Sequence, residues 1–165
     1  MTETEQATAD VAKVAELVKE AGRVAMLTTR APDGTVMSRP MALQEVAFDG
    51  DLWFFARRDS RKVTQIAADP QVNVAISSAD TWVSVTGTAR VVTDDARKNE
   101  LWNGGVEAWF PDGPDSADII LLHVEGDSAE YWDTPGGRVA TALSFVKAKA
   151  TGKPYSGGEN DKVEL

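Results

Sequence analysis

Short apolar runs separated by tight turns recur along this chain, and they limit its fold more than any other feature. The pairs Asp33-Gly34 and Asp49-Gly50 are typical of two-residue hairpin turns. A hairpin joins two neighbouring antiparallel strands, whereas parallel strands need a crossover of about a dozen residues or more. We therefore expect an antiparallel barrel or sandwich rather than a parallel α/β sheet.

The apolar patterning predicts six or seven strands and two or three short helices behind an N-terminal helix. Strands are predicted over 24–29, 36–46, 52–56, 72–76, 82–92, 119–125 and 129–133, the last two joined by a tight turn at 126–128. Helices are predicted over 10–21, from about residue 60 to Asp69-Pro70, and from Asp94 to about Asn103. Residues 104–118 are predicted to be a loop that carries aromatic side chains. For residues 139–150, strand and helix both remain open.

Length and charge narrow the class of protein. A chain of 165 residues fits one domain, predicted over 10–150, with a disordered segment at 1–9 and a flexible tail at 151–165. The net charge of −9 argues against general binding to nucleic acid or to an anionic membrane. The absence of cysteine excludes disulfides and thiolate metal sites, and no metal site is expected. With no apolar signal segment or membrane span in the sequence, we expect a cytoplasmic protein.

The stretch from Phe54 to Ile66 is the first candidate site. It predicts a strand, a short cationic loop and a helix that starts with Ser60, Arg61 and Lys62. Cations in a first turn oppose the helix dipole, which favours them at the other end by about 0.3–1 kcal/mol each. An anionic ligand would reverse this effect, since helix N-termini bind phosphate. The residues alone leave two interpretations, namely a phosphate site and an ordinary helix start with solvated cations.

Three further features carry weaker signals. Arg39 precedes Pro40 in an extended run, which is typical of an exposed arginine on an edge strand. The five tryptophans are Trp53, Trp82, Trp102, Trp109 and Trp132, and most are expected in the core or an interface. His123 is interpreted as structural, because the sequence reveals no acid or nucleophile partner for it. No catalytic side chain is predicted.

Taken together, these segments resemble the pyridoxamine 5'-phosphate oxidase-like, FMN-binding split-barrel superfamily, and most closely its bacterial general stress protein branch. The resemblance covers roughly residues 10–150 and depends on the order and spacing of several motifs. They are Ser38-Arg39-Pro40-Met41, Asp51-Leu52-Trp53-Phe54-Phe55, Asp59-Ser60-Arg61-Lys62-Val63, Asp69-Pro70-Gln71-Val72, residues 83–89, Leu101-Trp102, residues 109–114 and residues 129–133.

The resemblance implies a mainly β fold, a six-stranded antiparallel split barrel, that forms a homodimer with FMN bound between the subunits. By position in the family motifs, it implies cofactor contacts from Arg39, Pro40, Met41, Ala42, Leu43, Gln44, Phe55, Ala56, Ser60, Arg61, Lys62 and Trp82. Among these, Ser60, Arg61 and Lys62 would hold the flavin phosphate, and the backbone of Met41 and Leu43 would meet the ring. Trp109, Phe110 and Trp132 are candidates for the substrate side.

The chain also departs from the oxidases. Gln44 stands where they carry lysine and Trp82 where they carry glutamine, and residues 132–138 have no match to their C-terminal Arg-x-His segment. Oxidation of pyridoxamine phosphate is therefore not expected. The resemblance implies an FMN-dependent oxidoreductase of unidentified small-molecule substrate. The alternatives are a flavin-binding stress protein without turnover, acting as a reservoir or redox sensor, and a reductase that uses FAD or a deazaflavin.

Overall fold

The protein, in a computed structural model, is built on one antiparallel sheet of seven strands. The structure describes residues 2–44, 46–134, 147–154 and 158–165. Its elements are α1 (Glu3–Ala21), β1 (Val24–Arg30), β2 (Val36–Ala42), β3 (Asp51–Arg57), α2 (Arg61–Ala68), β4 (Gln71–Ser77), β5 (Thr81–Val92), α3 (Asp95–Leu101), α4 (Gly104–Trp109), β6 (Ile119–Asp133) and β7 (Glu159–Glu164). Among the described residues, none of the helices has the length and apolar character that a membrane crossing requires.

The sheet curls into a barrel that does not close. The strand order is β2-β1-β4-β5-β6-β3, and β7 pairs with β6 off this path. The end strands β2 and β3 come into contact without forming a ladder, so the hairpin predicted at Asp49-Gly50 is wrong, because β3 pairs with β6 instead. Alternate residues of each strand point inward, so that Leu27, Val74 and Val85 are fully buried. The helix α1 packs Val14 and Leu17 onto this core. The predicted antiparallel split barrel is therefore confirmed.

One long strand, β6, replaces the two strands and the turn predicted over 119–133. Its first half pairs with β3 and its second half with β7, while β5 pairs with it from Leu121 to Asp133. The register with β5 shifts between Thr86 and Gly87, where Asp127 is the extra residue of a β-bulge. The segment 126–128 therefore bends the strand instead of reversing it. Glycine-containing segments are typical of both bulges and turns. Here, continuous pairing with β5 on both sides of the segment makes it a bulge.

Both chain ends contain more regular structure than the sequence predicted. The helix α1 begins at Glu3 because Thr2 and Glu5 form a reciprocal capping box, so most of segment 1–9 is helical. Within the predicted tail, β7 pairs with residues 128–133 of β6 and buries Val163. Residues 147–151 are helical. The rest of the open segment 139–150 lies outside the described residues.

The segment predicted as an aromatic loop contains the short helix α4. The Asn103 side-chain oxygen accepts hydrogen bonds from the backbone amides of Gly105, at 3.0 Å, and Val106, at 3.2 Å. These bonds satisfy amides that a helix start leaves without partners. Two glycines in the first turn hid this helix from propensity arguments, because glycine disfavours a helix by about 1 kcal/mol.

Candidate functional site

Arg39 lies partly buried at the centre of the candidate site and is held by neutral acceptors. Its Nη1 donates to the Leu27 carbonyl at 3.2 Å and to Thr29 Oγ1 at 2.6 Å. Its Nη2 donates to Gln65 Oε1 at 3.2 Å. The strand β2 presents Arg39 opposite β1, and the helix α2 brings Gln65 over the same spot. Arg39 is therefore a fixed guanidinium rather than the exposed edge arginine that its sequence context suggested.

The start of α2 adds two more cations beside Arg39. Val63 and Thr64 make the first helical hydrogen bonds to the Ser60 carbonyl, so the amides of Arg61 and Lys62 precede the bonded turn. The charges of Arg61 and Lys62 both interact with that of Arg39. Within the part of the chain that the structure describes, none of these three cations has a carboxylate partner. We call Arg39, Arg61 and Lys62 the cationic cluster.

Partial burial makes the charges of Arg39 and Lys62 costly. Burial lowers the pKa of Arg39 below its ordinary value, and the charge of Arg61 lowers it further. Burial also lowers the pKa of Lys62, and the charge of Arg39 adds to the effect. A lowered pKa of a base means that its charged form is disfavoured in the folded protein. An anion among these groups would reverse that preference, which is the property of a phosphate site.

The other residues of the cationic loop are engaged elsewhere. Arg57 Nε lies 3.2 Å from Asp59 Oδ1, and Arg58 Nε donates to the Ala117 carbonyl at 2.9 Å. Ser60 occupies the N-cap position of α2 but makes no side-chain cap, since its hydroxyl donates to the Arg57 carbonyl at 2.7 Å. A phosphate contact from Ser60 therefore requires its hydroxyl to rotate away from this carbonyl.

The direction of the β2 backbone decides which of its amides could donate to a ligand. The Leu43 amide donates to the Arg23 carbonyl at 2.8 Å, so it points toward β1. Backbone groups alternate in direction along an antiparallel strand, which gives the Met41 amide the same direction and turns that of Ala42 outward. The free edge of β2 therefore offers Ala42, not Met41 or Leu43, as an amide donor. Pro40, two residues earlier, also faces outward but has no amide hydrogen.

Phe55 and Ala56 are both buried in the folded chain. Ala56 is 1% exposed in the main core, and Phe55 packs in a second apolar cluster with Leu101 and Val106. The Phe55 ring also meets Trp102 edge-on, with centroids 5.4 Å apart. Their side chains support the strand that leads into the cationic loop.

A cavity of about 790 Å³ opens beside Gln44. Its walls are the C-terminal half of α1, the connection from β2 to β3 and the start of β3, with side chains that include Lys19, Leu43, Gln44, Phe48 and Trp53. Gln44 Oε1 accepts a hydrogen bond from Asn103 Nδ2 at 3.1 Å. Gln44 therefore links this cavity to the cap of α4, a connection that the sequence did not indicate.

The predicted substrate-side aromatics do not form one group. Trp109 is 79% exposed at the end of α4, whereas Phe110 packs against the second apolar cluster. Trp132 faces Trp82 across the β5–β6 ladder, and these two rings are 40% and 45% exposed. Trp82 and Trp132 therefore lie on the surface of the sheet, in different elements from the aromatic residues at the end of α4.

That sheet surface is apolar and uncovered at one end. Residues opposite each other in a ladder share a face, so Val24, Met26, Pro40 and Ala42 lie on the side where Trp82 and Trp132 lie. Next to them the same side carries the uncharged residues Thr28, Ser38, Ala75, Asn73, Ser84 and Thr86, and the charged Glu130 opposite Ser84. We call this surface the open face.

His123 has an acid partner that the sequence did not reveal. Its Nε2 lies 2.8 Å from Asp51 Oδ2, and its ring packs on Trp53 at 4.3 Å between centroids. Its Nδ1 is buried without a hydrogen bond among the described groups. Asp51 and Trp53 are in β3, so His123 ties β3 to β6, which supports the structural interpretation.

Comparison with known proteins places this geometry in a family. Residues 9–156 match the family model described as pyridoxamine 5'-phosphate oxidase like. Protein bli-3 of Neurospora crassa is 30% identical over 144 residues, which are 80% of this chain and 69% of that protein.

Two solved structures show the same architecture. A general stress protein 26 from Jannaschia sp. CCS1 superposes with a TM-score of 0.77 at 25% identity, covering 95% of this chain and 99% of that one. The general stress FMN/FAD binding protein of Xanthomonas citri gives a TM-score of 0.64 at 31% identity, covering 74% and 87% of the two chains. With a family match over most of its length and a shared fold, this chain belongs to the pyridoxamine 5'-phosphate oxidase-like family.

Proposed function

We propose that this protein binds FMN and uses it as an oxidoreductase on a small molecule. The observation that carries the proposal is the cationic cluster, because three positive side chains without carboxylate partners among the described residues converge at a helix N-terminus. A phosphate monoester matches this donor set, since guanidinium groups bind phosphate oxygens in pairs and an ammonium adds a point charge. The Xanthomonas citri relative, described as FMN/FAD binding, supports a flavin as the phosphate carrier.

The remaining predicted contacts fit a ligand that extends from the cationic cluster along β2. Arg39 begins this path, and Gln44 ends it beside the cavity of about 790 Å³. In this proposal the flavin supplies hydride chemistry when bound, while the chain holds its phosphate, orients it and limits access of water. The cavity next to Gln44 would then receive the substrate.

Titration with matched flavins tests this function. The purified protein is expected to bind FMN more tightly than riboflavin, because only FMN carries the phosphate for the cationic cluster. Fluorescence quenching of each flavin gives the two dissociation constants, and mass spectrometry of any ligand retained through purification shows whether it is FMN, FAD or a deazaflavin. A protein that takes up none of these cofactors would contradict the proposal.

A second candidate is flavin binding without turnover, as a reservoir or redox sensor. It is favoured by segment 132–138, which lacks the Arg-x-His pattern that helps the oxidases hold substrate and flavin. The two functions are separated by reducing the bound flavin with NADH or NADPH and then following its reoxidation. A steady rate above that of free flavin indicates an oxidoreductase. Steady turnover with any metabolite would exclude the function of a reservoir or redox sensor.

We further propose that two copies of the chain associate through the open face. The face combines exposed Val24, Met26, Trp82 and Trp132 with uncharged neighbours on β1, β2, β4 and β5, and its charged pair at the β6–β7 edge is Glu130 opposite Lys162. A two-fold interface brings each residue near the same patch of the partner, so a patch in which Glu130 is offset by Lys162 and the other neighbours are uncharged limits repulsion between chains of net charge −9. The proposed flavin site would lie between the subunits. The cytoplasm remains the expected location.

Met26→Glu is expected to convert the dimer to monomers, because it places two carboxylates in an apolar interface. Size-exclusion chromatography with light scattering should give about twice the mass of one chain for the wild type and one chain mass for the variant. Ala7→Glu, on the exposed start of α1, adds the same charge and should stay dimeric. A monomeric wild type, or a Met26→Glu variant that remains dimeric, would rule out this interface.

A further inference from the structure

Gln65 holds the Arg39 guanidinium without adding charge. Its side chain is buried on α2, with the residue 6% exposed. Its Oε1 accepts from Arg39 Nη2 at 3.2 Å and from the Thr29 hydroxyl at 2.6 Å, and its Nε2 donates to Met37 Sδ at 3.3 Å. Thr29 Oγ1 in turn accepts from Arg39 Nη1. Arg39, Thr29 and Gln65 therefore form a closed network of three side chains.

A carboxylate would be the stronger partner for a buried guanidinium. Arginine pairs with Asp or Glu through two parallel, charge-assisted hydrogen bonds, and burying a charge without a counter-charge is costly. A glutamate side chain has the shape of Gln65 and would supply that counter-charge. The chain instead has an amide at this position and leaves the positive charge of Arg39 uncompensated.

The same network leaves part of Arg39 available. A guanidinium carries five N–H donors, and the bonds to Leu27, Thr29 and Gln65 use three of them. One N–H on Nε and one on Nη2 have no acceptor among the described residues. The fixed side chain therefore presents both a donor pair and a full charge beside Arg61 and Lys62.

We propose that Gln65 is a positioning and specificity-determining residue that selects phosphate-bearing over uncharged flavin, by fixing Arg39 while leaving its charge for the ligand phosphate. The inference rests on the proposed flavin function. Gln65 would then determine the preference for FMN over riboflavin without contacting the ligand. An acid at position 65 would act as an internal competitor of the phosphate.

Gln65→Glu tests this role. The ratio of riboflavin to FMN dissociation constants, measured at pH 7.5 and low salt, is expected to fall about tenfold or more, with riboflavin affinity nearly unchanged. The unfolding temperature of the ligand-free variant is expected to be no lower than that of the wild type, because the introduced carboxylate pairs with Arg39. Gln71→Glu, on an exposed site at the start of β4, controls for the added charge and should retain the wild-type ratio.

Gln65→Met provides the second variant. It removes the acceptor without adding charge, so its ratio is expected to lie between those of the wild type and Gln65→Glu. An unchanged ratio in Gln65→Glu would overturn the inference, as would an equal loss of both flavins together with reduced stability, or a loss in Gln65→Met as large as that in Gln65→Glu. A wild type that binds FMN no better than riboflavin would instead refute the proposed function itself.

Discussion

Arg61→Ala and Lys62→Ala are each expected to weaken FMN binding by about 1.5–3 kcal/mol, roughly 10- to 150-fold. Each substitution removes a cation that has no carboxylate partner among the described residues, so the lost interaction is the one with the ligand phosphate. Titration of each variant with FMN and with riboflavin measures the effect. Riboflavin affinity should change little, because riboflavin has no phosphate.

Arg58→Ala is the matched control for these two variants. It removes the same charge from the same loop, but Arg58 Nε donates to the Ala117 carbonyl at 2.9 Å. Its FMN affinity should therefore fall much less than that of Arg61→Ala. Equal losses for FMN and riboflavin, or equal effects of Arg58→Ala and Arg61→Ala, would show that the cationic cluster does not bind phosphate.

In the protein without ligand, the charge of Lys62 is expected to lower the stability of the fold. Burial lowers the pKa of Lys62, so its charge destabilises the folded state below that lowered pKa, and the effect disappears above the ordinary value of 10.5. Lys62→Met keeps the stem and removes the charge. Its ligand-free unfolding temperature is expected to exceed that of the wild type at pH 7, and the difference should shrink toward pH 10.5. A variant less stable at pH 7 would contradict this account.

Gly87→Ala is expected to destabilise the folded protein by about 2–4 kcal/mol. A Cβ atom at this position would lie 2.2 Å from the Glu125 carbonyl oxygen, a backbone atom of the adjacent strand that has no rotamer to change. The collision falls at the β-bulge, where β5 and β6 change register. Urea denaturation followed by circular dichroism gives the free energy of unfolding.

Gly104→Ala is the control for this glycine substitution. No heavy atom lies within 4 Å of a Cβ built at Gly104, and the residue begins α4, where alanine is the better helix former. Its free energy of unfolding should stay within about 0.5 kcal/mol of the wild type. A Gly87→Ala variant as stable as Gly104→Ala would mean that the two strands can separate at the bulge without loss of packing.

The candidate site was only partly visible in the sequence. The order Ser60-Arg61-Lys62 after a strand predicted a helix start with cations, and α2 begins there at Arg61. Thr29 and Gln65, by contrast, gave no signal, because they lie 36 residues apart and meet only when α2 packs over β1. The same applies to the pair of His123 and Asp51, which are 72 residues apart. Side-chain contacts between distant segments depend on strand order and register, which local propensity does not encode.

The open face is a second feature that could not be predicted from the sequence. Alternation within β1 and β5 predicts that one side of each strand is buried, but not whether the other side meets solvent, a helix or a second chain. The ladders decide this, since they align Val24, Met26, Trp82 and Trp132 on a side that α1 and α2 leave exposed. A correct strand prediction therefore did not reveal this surface.

By itself, the sequence determined the antiparallel pairing of strands joined by a tight turn, as β1 and β2 are joined around Asp33-Gly34. It also determined that cations begin the second helix, because a helix start depends on a few consecutive residues. The tertiary structure alone decided which cations lack a counter-charge. Arg57 pairs with Asp59, whereas Arg39, Arg61 and Lys62 converge without a carboxylate partner among the described residues. Pairing between charges is a matter of distance in space, and only the folded register sets those distances.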